Sequence, residues 1–162
     1  MGSRAAERLP RAGGTYLLWG RARDRTPVRI GRLGTLTPRA GWYGYVGSAL
    51  GPGGLRARVA HHLRHAARPR WHLDWLRPQL QWSAVWYVAD PRRLEPLWVA
   101  ALAALPEAEV ALPGFGASDS RSASHLYHLS RLPAPADFLH RLRQALPDHP
   151  PLSRLTEGID HA

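Results

Sequence analysis

Short apolar runs, each closed by glycine or proline, limit this chain to a fold of brief strands joined by turns. Residues 15–19 form a β-leaning run between glycines and are typical of a strand. Residues 28–36 alternate apolar and polar side chains, which predicts a half-buried second strand. Residues 42–46 are strand-like again and end at glycine and serine. Three short strands in succession predict an antiparallel meander.

The rest of the chain predicts helices between further short strands. Residues 55–67 carry apolar side chains at a spacing of four, which is typical of one helix face. Residues 94–105 and 137–146 also predict helices, and the first of these ends at a proline. Shorter segments predict a helical turn at 71–76 and strands at 81–89, 109–112 and 125–129. The resulting fold class is α+β, a small, mainly antiparallel sheet flanked by helices.

The length of the chain, 162 residues, is enough for one domain with its own hydrophobic core. The composition and the turn signals divide it further. We predict a flexible basic N-terminus over residues 1–12, a folded domain over 13–132, a C-terminal helix over 133–146 and a mobile tail over 147–162.

The charge of the chain is strongly positive. Basic residues number 22 against 12 acids, which gives a net charge of +10, and every basic side chain is an arginine. The guanidinium fork matches the geometry of phosphate, and a domain this basic is typical of a nucleic-acid binder. The alternative is a genomic bias toward GC-rich codons, since alanine, leucine, proline and glycine are also abundant.

The chain contains no cysteine, which excludes disulfides, thiolate metal sites and cysteine nucleophiles. No apolar run approaches 18 residues, so we expect no membrane span. The first eleven residues carry three arginines and lack the apolar stretch of a secretory signal. We therefore expect a cytoplasmic location.

Three pieces of sequence form an ordered set. Gly14-Thr15-Tyr16 opens the first predicted strand, and Tyr45-Val46-Gly47 ends the third. Arg58 follows Tyr45 by 13 positions, and His62 lies one helical turn later. This set resembles the GIY-YIG nuclease pattern. The segments GWYGYVGSALGPGG, RWHLDWL and PGFGASD resemble an uncharacterised prokaryotic branch of that superfamily. The resemblance covers residues 13–130 and implies a GIY-YIG-like fold for the domain.

The resemblance also implies a role for each motif residue. Tyr16 would lie near the attacking water as a general base, and Tyr45 would point into the same site. Arg58 would stabilise the negative charge of the transition state, as an arginine clamp does. His62 would assist Tyr16 or hold the phosphate. Glu95 would bind a single divalent ion, Mg²⁺ or Mn²⁺, which suits carboxylate, water and phosphate oxygens.

The metal-binding role that the resemblance implies for Glu95 has an alternative. Glu95 is the only acid of its predicted helix before Glu107, and Pro96 follows it at the first turn. Proline is tolerated at that position, so Glu95 would lie at the helix N-terminus. A simple helix-capping role for Glu95 is therefore the alternative to metal binding.

A second departure concerns zinc. The branch has cysteines after the GFG segment, whereas this chain has Ser120 and Ser122, with His125 following. Asp119 and His125 alone would make a poor metal site. We therefore predict no zinc site and no disulfide.

The arginines around Arg58 predict a path for a phosphate backbone. The residues expected along it are Arg56, Arg64, Arg68 and Arg70. Trp71, beside two of these arginines, is a candidate for stacking on a base. His72 is a secondary candidate for the site. Its alternative role is structural, in a hydrogen bond with Asp74 or a backbone group.

These observations favour a metal-dependent nuclease acting on DNA rather than RNA, with branched or damaged DNA as candidate substrates. The alternative is a nucleic-acid-binding module that keeps the fold without catalysis. A carboxylate of Glu95 that points toward the two tyrosines and Arg58 favours the enzyme, and one that points into solvent favours the module. A third hypothesis is a protein-interaction domain whose charge reflects genomic bias alone.

Overall fold

A computed structural model of the chain describes residues 4–64, 66–117, 123–156 and 158–159. Within these ranges it contains eight strands and four α-helices. The strands are β1 (Gly14–Ala22), β2 (Val28–Ile30), β3 (Gly34–Leu36), β4 (Trp42–Ala49), β5 (Leu80–Val88), β6 (Glu109–Val110), β7 (Leu126–Leu129) and β8 (Ser153–Leu155). The helices are α1 (Gly54–Leu63), α2 (His72–Leu76), α3 (Glu95–Ala103) and α4 (Pro135–Ala145). None of the helices in these ranges is long and apolar enough to cross a membrane.

Six strands form one sheet in the order β6-β7-β4-β1-β5-β8, and every neighbouring pair is antiparallel. The fold is therefore α+β with a mainly antiparallel sheet, as the sequence predicts. β1 lies at the centre, between β4 and β5, and its residues from Gly14 to Gly20 are all buried.

The sheet is covered on both faces, and β1 alternates between the two halves of the core. Tyr16 and Leu18 pack with the apolar side chains of α1 and α2. Leu17 and Trp19 point to the other face and pack with α3 and α4. Successive side chains of a strand point to opposite faces, so a strand covered on both sides becomes a continuous apolar run. This explains why β1 shows no alternation of apolar and polar residues.

The segment predicted as a second strand of the meander is a separate hairpin. β2 and β3 pair with each other in a two-stranded sheet, with Ile30 opposite Gly34. Gly31 and Gly34 have φ values of 50° and 141°, which only glycine adopts readily. The direct neighbour of β1 is therefore β4, and the predicted meander was wrong.

The described part of the N-terminus packs against the core, although the sequence predicts a flexible lead-in. Ala5, Ala6 and Leu9 are buried in the cluster on the α1 side of the sheet. The Arg56 side chain donates a hydrogen bond from Nε to the Leu9 carbonyl at 2.9 Å. These three small or apolar residues show no periodicity, so no local pattern predicts this packing.

The segment predicted as a mobile tail also belongs to the fold in its described part. β8 pairs with β5 at the sheet edge, and Leu155 is buried. His149 is buried and accepts a hydrogen bond from Nε1 of Trp98 at 3.0 Å. Its other ring nitrogen donates to the Pro150 carbonyl at 2.7 Å. The chain after α4 therefore closes one edge of the sheet.

The packing of the N-terminus is testable. We expect Leu9→Ala to lower the free energy of unfolding by about 2–5 kcal/mol, because it removes a fully buried side chain and leaves a cavity. Urea denaturation measures this change. Arg8→Ala, at an exposed neighbouring position, should change stability by no more than about 0.5 kcal/mol. Equal effects of the two substitutions would show that residues 4–12 do not contribute to the core.

Candidate functional site

A cleft of about 480 Å³ opens beside the α1 face of the sheet. Its lining includes all five residues that the sequence predicts as catalytic, namely Tyr16, Tyr45, Arg58, His62 and Glu95. They come from β1, β4, α1 and the start of α3. His72, Arg70 and Trp71 line the same cleft. The structure thus brings together residues that span 80 positions of the sequence, from 16 to 95.

The glycine of the second motif makes room for the tyrosine of the first. Tyr16 lies opposite Gly47 in the pairing of β1 with β4. A Cβ atom on Gly47 would lie 2.2 Å from the Tyr16 hydroxyl oxygen. Any other residue would therefore displace the tyrosine ring. The GTY and YVG triplets therefore supply the two sides of one contact, Tyr16 against Gly47.

Tyr16 and His62 form a buried pair in which the tyrosine hydroxyl lies 2.8 Å from Nε2 of the histidine. Burial, followed by the neighbouring Tyr45, raises the pKa of Tyr16 well above its usual value, although Arg58 lowers it. Burial, followed by the positive charges of His61 and Arg58, lowers the pKa of His62 to about 3. Both members of the pair are therefore neutral near pH 7. His62 holds Tyr16 and does not supply a positive charge for phosphate.

Tyr45 shares this neutral environment. Its ring contacts His62 with a centroid distance of 5.6 Å and an interplanar angle of 69°. Burial, followed by the negative charge of Glu95, raises the pKa of Tyr45. A Cβ atom on Gly116 would lie 3.0 Å from the Tyr45 ring, and Gly116 has a φ of 68°. The GFG segment therefore fits closely against Tyr45.

Arg58 brings a fixed positive charge to the cleft. Its guanidinium lies 4.5 Å from the ring centroid of Trp71, in a cation–π contact. The Trp71 backbone N–H in turn donates to the buried carboxylate of Asp74 at 3.0 Å. Because Trp71 is held in this way, the stack restricts the positions open to Arg58.

Asp74 organises the RWHLDWL segment. Besides Trp71, its carboxylate accepts hydrogen bonds from the Arg70 N–H and from Nε2 of His61, each at 3.0 Å. Burial alone would raise the pKa of Asp74, but the two backbone donors and His61 overcome it and lower the pKa. The sequence suggested a hydrogen bond between His72 and Asp74 as one alternative. In the structure, the histidine bound to Asp74 is His61.

A backbone hydrogen bond orients the ring of His72. Its Nδ1 accepts a hydrogen bond from the Gly116 N–H at 2.7 Å. Burial lowers the pKa of His72, so the ring is neutral and carries its proton on Nε2. His72 therefore has the backbone contact that the sequence left open, and it still lines the cleft. A neutral N–H donor of this kind suits a phosphate oxygen.

Glu95 is the first residue of α3, and its carboxylate lines the cleft beside the tyrosines. The side chain of Glu95 is 15% exposed, and Nδ1 of His125 lies 4.0 Å from its carboxylate. No described residue donates a hydrogen bond to it within normal distance. A partly buried carboxylate gains by binding a cation.

The donor set around Glu95 fits one kind of metal. In the described ranges, no group of three or more histidine, aspartate or glutamate side chains could cage a metal ion. Mg²⁺ retains several waters and often takes only one or two carboxylates together with substrate phosphates. Glu95, water and a phosphate oxygen would therefore suffice for Mg²⁺ or Mn²⁺.

The sequence matches the family described as DUF123, a domain of unknown function, over residues 15–147. The chain belongs to this family. The DUF123 match contains every residue that lines the cleft and all four α-helices. No curated protein and no solved structure matches the chain.

Among the cleft residues of this DUF123 chain that the sequence did not predict as site residues, two have ionisable side chains, Arg93 and His125. Arg93 is exposed at the rim, two positions before Glu95, and that proximity was an available signal. His125 is buried, with Nδ1 3.2 Å from the Val46 carbonyl oxygen. Only the pairing of β7 with β4 brings it near Glu95, so no local pattern reveals it.

The structure places only some of the arginines of the predicted phosphate path at the cleft or the hollow beside it. Arg70 lines the cleft, and Arg64 lines a smaller hollow next to it. Arg56 is instead bound to the N-terminal segment through the Leu9 carbonyl, which removes it from the predicted path. Arg68 is exposed outside the lining of both cavities. Asp119, Ser120 and Ser122 lie outside the described residues.

The neutral state of His62 has a consequence for stability. The unfolded chain takes up a proton on His62 near its ordinary pKa of 6.5, whereas the folded chain does so only near 3. Stability therefore rises with pH across this window, and it falls as the pH decreases from about 6.5. We expect His62→Gln to flatten the dependence of the unfolding free energy on pH between 6.5 and 4.5, as measured by urea denaturation.

Two comparisons define this test. His72 and His149, whose pKa values are also lowered, contribute in the same window and remain in the variant. The slope should therefore decrease without disappearing. Ser48→Ala, a substitution of a cleft residue that does not titrate, should leave the slope as in the wild type. Parallel curves for wild type and His62→Gln would contradict a neutral buried His62.

Proposed function

We propose that this chain is a metal-dependent nuclease that hydrolyses DNA phosphodiester bonds, with a site of the GIY-YIG type. One observation carries the proposal. Tyr16, Tyr45, Arg58, His62 and Glu95 meet in a single cleft, although they come from four elements. The order of the motifs does not require this convergence. If each of these residues had only a separate structural role, nothing would require all five to line one cavity.

The protonation of the buried pair supports metal dependence. The attacking water must lose a proton, and Tyr16 is the candidate acceptor. With its pKa raised by burial, neutral Tyr16 is a weak base, and a pKa of about 3 makes His62 a weak one too. A divalent cation on Glu95 would supply the positive charge that lowers the pKa of Tyr16. We therefore expect hydrolysis in this cleft to depend on the metal.

The remaining donors suit the charge of the substrate. Arg58 is positioned by Trp71 to stabilise the negative charge that develops on the phosphoryl oxygens. Arg70, Arg93 and the N–H of His72 line the same cleft. Contacts with phosphate position a strand without reading its sequence, so the proposal is for cutting that does not depend on base sequence.

The position of Glu95 favours the enzyme over the binding module. A helix-capping glutamate would keep its carboxylate beside the first turn or in solvent. Here the carboxylate is only 15% exposed and lies in the cleft with the two tyrosines and Arg58. A binding module would gain nothing from a carboxylate at the place where phosphate approaches, because like charges repel.

The proposal predicts metal-dependent cutting. Labelled single-stranded, duplex, flap and junction DNAs would be incubated with Mg²⁺, Mn²⁺ or a chelator. We expect cutting with either metal and none with the chelator. Glu95→Ala should abolish it, because the metal loses its protein ligand. Arg58→Ala should lower the rate by about 10²–10³-fold, the usual cost of losing one transition-state donor.

Matched controls come from outside the cleft. Glu109→Gln removes an acid that pairs with Arg39 on the surface, and Arg154→Ala removes an exposed arginine on β8. Both should cut as the wild type does. Salt-sensitive binding without cutting by the wild type would support the binding module instead. Neither binding nor cutting would overturn both hypotheses.

Two adjacent arginines test the proposed electrostatic contact with the phosphate backbone. Arg93 lines the cleft, whereas Arg92 is held in ion pairs with Asp90 and Asp148 at 2.9 and 3.2 Å. We expect Arg93→Ala to reduce the slope of log affinity against log salt by about one, as for the loss of one phosphate contact. Arg92→Ala should leave the slope unchanged. Fluorescence anisotropy with labelled DNA over a salt series measures both, and identical slopes would exclude Arg93 from the interface.

A further inference from the structure

A second hollow lies behind the Arg58–Trp71 stack. Its volume is about 270 Å³. Gly51, Arg58 and Trp71 line both this hollow and the larger cleft. The stacked pair is therefore a wall between the two cavities. Whatever binds in the hollow lies directly beside whatever binds at Arg58.

The lining of the hollow combines aromatic and cationic side chains with small ones. Ala49, Pro52 and Ala57 contribute apolar surface. The polar side is formed by Arg58, His61, Arg64 and Trp71. No carboxylate is found in the lining contributed by the described residues. Such a surface suits a flat ring that is joined to a negatively charged group.

The size of the hollow selects among such ligands. Cavities that enclose drug-sized ligands measure about 300–1,000 Å³, so about 270 Å³ suits a single planar ring system. A base within a duplex is stacked and paired, and it reaches such a cavity only after leaving the stack. An unpaired base has both faces free for stacking on tryptophan or arginine.

We propose that this hollow binds one unpaired nucleobase next to the phosphate held at Arg58. The inference rests on the proposed function of the cleft and names its substrate class. The preferred substrate is DNA with an unpaired nucleotide at the site of binding, rather than continuous duplex.

The side chains that border the hollow are held in place before any ligand arrives. Trp71 is 37% exposed, yet Asp74 fixes its backbone and the ring of His61 lies against it at a centroid distance of 4.2 Å. Asp74 also holds His61 through Nε2. A platform that is already ordered loses little conformational freedom on binding, which favours affinity.

The RWHLDWL segment also supplies a matched control. Trp75 is also 37% exposed and lies in α2, four positions after Trp71. It lines neither cavity and lies instead near Gly31 of the β2–β3 hairpin. Substituting either tryptophan removes the same aromatic surface, but only Trp71 borders the hollow.

The test uses duplex DNA with one extruded nucleotide, which fixes the register of the unpaired base. Three probes are compared by fluorescence anisotropy in the presence of a chelator, so that no cutting occurs. One carries an extruded thymine, one an extruded abasic residue, and one is fully paired. We expect wild type to bind the thymine probe about tenfold more tightly than the abasic probe, the scale of one base–aromatic stack.

The variants separate base binding from a structural role. Trp71→Ala should bind the thymine and abasic probes equally, whereas Trp71→Phe should keep most of the preference. Trp75→Ala should retain the wild-type ratio. If Trp71 only supports Arg58, Trp71→Ala will weaken both probes by the same factor, and the inference fails. Circular dichroism confirms that each variant is folded, and Trp71→Phe keeps the test decisive if Trp71→Ala is not.

The outcomes also separate this inference from the proposed function. Equal wild-type affinity for the thymine and abasic probes overturns the base site while leaving DNA binding intact. A preference for the thymine probe without cutting in the nuclease assay supports the base site and overturns catalysis. No binding to any of the three probes overturns both.

Discussion

The approach of Tyr16 to Gly47 is the contact on which the rest of the site depends. In the register of β1 and β4, Tyr16 lies opposite Gly47, and Tyr45 lies two positions earlier on β4. Residues two apart in a strand share a face, so the two tyrosines point the same way. His62 on α1 then contacts both rings, at centroid distances of 5.8 and 5.6 Å. A side chain at position 47 would displace Tyr16 and with it this whole cluster.

Burial decides where charge is found in the cleft. Because Tyr16, Tyr45 and His62 are all held neutral by desolvation, the charge nearest to them comes from Arg58 and Glu95, which line the same cavity. The two have opposite roles toward a phosphate: the guanidinium attracts it directly, and the carboxylate repels it. A cation held by Glu95 would, in the proposed function, make both groups favourable. The electrostatics of the cleft thus provide the physical argument for a divalent metal.

The sequence predicted those parts of the fold and site that depend on local spacing. Arg58 and His62 are four apart on one helix, and each tyrosine lies in a short strand with a glycine nearby. His125 could not be found in this way, because only the pairing of β7 with β4 brings it to Glu95. The prediction of one strand over residues 28–36 was wrong, because a hairpin and a single strand show the same alternation of apolar and polar residues. The positive φ of Gly31 is the local reason for the turn.

Under the proposed function, Arg58 would join recognition to chemistry. Its guanidinium borders the cleft on one side and the hollow on the other, and Trp71 fixes it between them. In the proposed arrangement, a base in the hollow would contact the same side chain that stabilises the neighbouring phosphate. An unpaired nucleotide would then help to order the catalytic arginine, whereas a paired one would not reach it. Selection for DNA structure would follow from one shared side chain.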